Sequence, residues 1–124
     1  INYININNIT NIDILGKIER KKMVDFLKDK DIGILPMITS SIPNKIFDYM
    51  AAMLPTIVLG DNDSSNFVLE NIIGWQCNFN SEDLDVLLQN LSFGEIKVKK
   101  EQVVLVRKNF SRDILHQKIK EIIV

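Results

Sequence analysis

At 124 residues, with 46% hydrophobic and 25% charged side chains, the chain suffices for one globular domain with a sizeable core. Fifteen basic residues against sixteen acidic ones leave a formal net charge of −1, which argues against nucleic acid or an anionic membrane as the main partner. One cysteine, Cys77, excludes an internal disulfide, and one histidine, His116, leaves a metal without a second soft ligand, so no metal or cofactor is expected.

A lone cysteine fits a reducing, cytoplasmic setting, and no apolar run reaches the roughly 18 residues of a membrane span. Glycosylation sequons at Asn8, Asn62, Asn90 and Asn109 read as coincidence in an Asn-rich chain. The chain opens on Ile1, and its first element begins at once. Both features lead us to expect a piece of a longer protein.

In chain order, "INYINI" (1–6) and "IDIL" (12–15) read as strands, the second ending at Gly16. Residues 19–29 predict a helix with Met23, Val24 and Leu27 on one face. "DIGILP" (31–36) is a buried strand stopped by Pro36, and a helix follows from about Pro43 to Met53. Pro55 leads into the strand "TIVL", which ends at Gly60. "DNDSS" (61–65) supplies a turn and an N-cap for a short helix through Glu70. "GWQC" (74–77) is an edge or late strand with Cys77 as core, and Ser81 caps a helix carrying Leu84, Leu87, Leu88 and Leu91. Residues 98–109 suit either a strand or a buried helix. Ser111 caps a closing helix with Leu115, Ile119 and Ile122. Short apolar runs alternating with amphipathic stretches predict an α/β domain with a mainly parallel sheet flanked by helices.

The segment "SSIPNKIFDYMAA" (40–52) carries the most chemistry. With Asn44 at the origin of a helical wheel, Asp48 falls at about 40° and Lys45 at about 100°. Ile46, Phe47, Met50 and Ala51 are assigned to the opposite, core-facing arc. Pro43 suits the first helical position, where a missing N–H costs nothing. The free amides of that first turn and the positive dipole end attract an anion, and Lys45 adds a mobile charge. Asn44 and the hydroxyls of Ser40 and Ser41 can donate to phosphate oxygens. Asp48 suits a vicinal diol one turn away, and phosphate plus diol means a nucleotide. A surface helix decorated with Asn, Lys and Asp would show the same residues.

Other constellations have plainer readings. Asp61-Asn62-Asp63 matches a metal-binding D-x-D, but its place between a strand and Ser64 favours a turn plus cap. His116 reads as a surface histidine. Arg20, Lys21 and Lys22 read as a solvated face, with a peripheral contact to phosphate or a membrane surface as the alternative.

"PNKIFDYMA" followed by "LPTIV" resembles the signature of family 4 (group 1) glycosyltransferases, in the C-terminal donor-binding domain of their GT-B fold. "NIDILGKIERKKMVDFLKDKDIGILPM", "FVLENIIGWQCNFNSEDLDVLL" and "NFSRDILHQKIKEII" are similar to the flanking parts of that domain in the same order. The resemblance implies a Rossmann-like parallel sheet and a bacterial enzyme of polysaccharide or glycolipid synthesis. Such an enzyme moves a hexose-type sugar from a nucleotide diphosphate to a glycan or lipid-linked acceptor, with retention. It implies that Asp48 holds the ribose, that Asn44 and Lys45 meet the diphosphate, and that Gly16, Lys17 and Ile18 lie beside the base. The first acid of the family's E-x7-E motif falls at Ser40, where a donor-sugar contact is expected. The acceptor domain and the first strand of the donor domain are missing from the chain, which is expected to be inactive alone. A non-catalytic flavodoxin-like interaction module and a nucleotide-sugar epimerase of the same architecture are the alternatives.

Overall fold

A computed structural model of the chain describes residues 5–38 and 42–110. The described elements run α1 (Arg20–Leu27), β1 (Gly33–Pro36), α2 (Asn44–Ala51), β2 (Thr56–Leu59), α3 (Asp63–Glu70), β3 (Gly74–Cys77), α4 (Ser81–Asn90) and α5 (Phe93–Arg107), with a 3-10 turn at Lys108–Phe110. The strands form an open parallel sheet in the order β1–β2–β3. Gly33, Thr56 and Gly74 are in register at one end, and Pro36, Leu59 and Cys77 at the other. The molecule is thus α/β, with two successive β-α-β units.

A parallel pair needs a crossover, and here α2 and α3 supply the two. Both send their apolar residues to the same cluster: Ile46 and Met50 from α2 and Val68 from α3 pack with Leu35 and Val58 of the sheet. Leu35 and Val58 are register partners and so share a sheet face. Ile73 and, from α5, Val103 and Val106 complete the cluster. Phe47, Phe67 and Phe110 border it as an aromatic trio with ring centroids 5.2–6.2 Å apart. Arg107, at the end of α5, donates from a guanidinium nitrogen to the carbonyl of Ala51 at 3.1 Å and so occupies the last turn of α2.

Several sequence expectations change. Of the strand expected over residues 1–6, only Asn5 and Ile6 are described, and both are helical. Residues 12–15 form no strand, and Ile12, Ile14 and Leu15 are exposed. Alternating apolar residues need a ladder to join, and the outer edge of β1 is a poor one. Pro36 has no N–H to offer, and the Tyr49 hydroxyl donates to the outward carbonyl of Ile34 at 3.3 Å.

Pro43 is the N-cap of α2 with extended backbone, φ −78° and ψ 157°, rather than its first helical residue. Ala51 is exposed, because seven residues bring the wheel back to within about 20° of Asn44. Asn80 rather than Ser81 caps α4, its side chain accepting from the Asp83 N–H at 2.7 Å. The ambiguous residues 98–109 are helical through Arg107, with Val103 and Val106 buried and Leu105 exposed. The closing helix expected from Ser111, and His116 with it, lie outside the described residues.

One buried group stands out in β2. Thr56 is fully buried, and its Oγ1 has no hydrogen-bond partner among the described residues. Desolvating a hydroxyl without a partner costs stability, and valine has nearly the same shape. Thr56→Val is therefore expected to stabilise the fold by about 1 kcal/mol, read from the midpoint of urea unfolding. A loss of stability on this substitution would contradict the unpaired hydroxyl.

Candidate functional site

Parallel strands end together, so Pro36, Leu59 and Cys77 define one carboxyl edge, and α2 and α3 begin just beyond it. In open α/β sheets, this edge is where ligands bind. Hydrogen bonds hold its shape. Met37 N–H donates to Leu59 O at 3.0 Å, and Gly60 N–H donates to Cys77 O at 2.9 Å. The Gln76 amide donates to Gly60 O at 2.9 Å, and the Asn62 amide reaches Met37 O at 3.2 Å. Gly60 has φ +124°, and a Cβ there would stand 2.7 Å from Met37 O, so only glycine lets the chain turn so close to β1.

The two helices that start at this edge differ at their first turns. At α3, Asn62 Oδ1 accepts from Ser65 N–H at 3.1 Å and Ser65 Oγ accepts from Asn62 N–H at 2.8 Å. This reciprocal capping box fills the helix start. The D-x-D at 61–63 is thereby explained as turn and cap, with the Asn62 side chain engaged on both sides. At α2, by contrast, Pro43 offers no side-chain cap. The Ile46 N–H turns back to Pro43 O at 3.2 Å, and no side chain is bonded to the amides of Asn44 and Lys45 among the described residues.

The side chains at the start of α2 are polar. Asn44 and Lys45 are exposed, and Lys45 has no ion pair among the described residues. Asp48 is half-buried one turn further on. Beneath it Tyr49 lies against Gly33, where a Cβ would come within 2.6 Å of the ring, and its hydroxyl holds Ile34 O. Burial, and then the neighbouring Asp48 charge, push the Tyr49 phenol above its ordinary pKa, so it remains a neutral donor at physiological pH. The buried side of α2, through Ile46 and Met50, fixes the helix on the core. Asn44, Lys45 and Asp48 are therefore carried by a core-anchored helix at the carboxyl edge. Its chemistry suits an anion at the amides with a hydroxyl-bearing group near Asp48.

Ser40 and Ser41 lie outside the described residues. Gly16, Lys17 and Ile18 stand in the irregular segment before α1, Gly16 at φ +70° with open space around it. No hydrogen bond or ion pair joins them to α2 among the described residues. No described helix is long and apolar enough to cross a membrane.

No family model, curated protein or solved structure matches the chain. The functional reading therefore rests on geometry and on the sequence pattern.

Two features escape sequence reasoning. The Tyr49 bond to β1 joins residues 15 positions apart, and the Gln76 bridge spans 16. Neither has a local signal. Cys77 is a correction: it is half exposed at the carboxyl end of β3 rather than core, where it lines a cavity of about 460 Å³ with Gln76, Asp83 and Asn90. Burial first, and the Asp83 charge second, push its thiol up. Since the thiolate is the nucleophile, Cys77 should be alkylated by iodoacetamide at pH 8 more slowly than free cysteine. Faster alkylation would contradict this environment.

Proposed function

We propose that the chain is the nucleotide-diphosphate-sugar-binding part of a GT-B glycosyltransferase of the family 4 (group 1) kind. The observation that carries this reading is the contrast between the two helix starts at the carboxyl edge. One is filled by Asn62 and Ser65, and the other, flanked by Asn44, Lys45 and Asp48, has no side-chain cap from Pro43 or any other described residue. The "PNKIFDYMA" pattern supports the same assignment.

In this reading the α2 amides and Lys45 take the diphosphate, Asn44 adds a donor, and Asp48 accepts from the ribose hydroxyls. Ser41 joins the phosphate side, Ser40 faces the donor sugar, and the Gly16–Ile18 loop meets the base. As the glycosidic bond breaks, negative charge grows on the departing diphosphate. In this reading the helix dipole and the Lys45 charge stabilise it. The acceptor, a glycan or lipid-linked sugar, would be held by a domain outside this chain, at the cytoplasmic side of a membrane. Transfer requires both substrates in one closed site.

The test is thermal stabilisation by UDP, GDP and ADP at millimolar concentration. At least one nucleotide should raise Tm, since a ligand at a hundred times its Kd stabilises by about 2.7 kcal/mol. Asp48→Ala should weaken that nucleotide about tenfold, the effect of about 1.4 kcal/mol of lost hydrogen bonding, read as a smaller nucleotide-induced rise over the variant's own free Tm. If no nucleotide shifts the wild-type transition, the donor-site reading fails.

A further inference from the structure

We draw no further inference here: the strongest candidate, the cavity of about 370 Å³ between the second half of α2 and the end of α5, lined by Phe47, Met50, Arg107 and Phe110, opens where the chain leaves the described residues, and nothing in the structure shows what covers it.

Discussion

Gly74→Ala is expected to destabilise the fold by about 3 kcal/mol or more, a large share of the roughly 5–15 kcal/mol that hold a domain folded. Gly74 opens β3 opposite Thr56, and a Cβ at this position would run into the Thr56 carbonyl oxygen. Thr56 cannot retreat. It is fully buried in the central strand, and its N–H donates to Ile73 O at 3.2 Å. Relief therefore requires moving β3 away from β2, which breaks the ladder that holds the carboxyl edge together. Gly33 provides the internal control, because a Cβ there meets the Tyr49 ring. Here a side chain rather than backbone is in the way, so Gly33→Ala should cost less, about 1–2 kcal/mol, through displacement of the Tyr49 ring and loss of its bond to Ile34 O. Urea unfolding followed by circular dichroism ranks the two. A Gly74→Ala protein as stable as Gly33→Ala would refute the close approach of β3 to Thr56.

Ile46→Ala should cost about 3 kcal/mol, within the range of about 2–5 for emptying a buried aliphatic site. Ile46 is 0% exposed and sits where α2 meets Leu35, Val58 and Val68, so its loss leaves a cavity bounded by sheet and helices rather than by mobile loops. Such walls collapse poorly, which places the expected cost well above the minimum. The substitution also has a functional reading. Ile46 anchors the first turn of α2, two residues from Asn44 and two from Asp48. Under the proposed function, nucleotide affinity should fall even at temperatures where the variant remains folded. Ala51→Ser, on the exposed side of the same helix, should change both quantities little. Measuring nucleotide Kd and urea midpoint on the pair separates the two faces. Equal effects from Ile46→Ala and Ala51→Ser would sink the assignment of buried and exposed sides.

Much of the central architecture was legible because its elements carry strong local signals. "GILP" and "TIVL" are short apolar runs bounded by Asp, Pro and Gly, and both are strands of a parallel sheet. The helix "NKIFDYMA" announces itself by Pro43 before it and by the spacing of Ile46 and Met50. Failures occur where the answer depends on partners rather than on the segment. The alternation in "IDIL" sorts side chains to two faces, but a strand exists only where another strand accepts its hydrogen bonds. At α4, Asn80 and Ser81 are both good caps, and only the backbone turn decides which one stays extended. Val103 to Val106 are four apolar residues in a row, equally good for either structure until burial of Val103 and Val106, three apart, selects the helix.

The candidate site was legible to a different degree. Asn44, Lys45 and Asp48 share a face by simple helical arithmetic, and the structure places them at the carboxyl edge. The sealing of α3 by Asn62 was only half visible. A cap could be expected from "DNDSS", but the reach of the Asn62 amide across to Met37, 25 residues earlier, is a property of the folded sheet. That bond ties the capped start of α3 to the loop after β1.

The bond from Arg107 to Ala51 O has a consequence at the far end of the same helix. Eight residues make α2 only about 12 Å long, so its two poles lie close enough for each to offset the other's field. A guanidinium at the negative pole offsets part of that pole. Under the proposed function, an anion at Asn44 would meet the positive end of the helix with its negative end partly offset. The last residue of α5, 56 positions from Ala51 in sequence, thus ties down the end of the helix whose start carries Asn44 and Lys45.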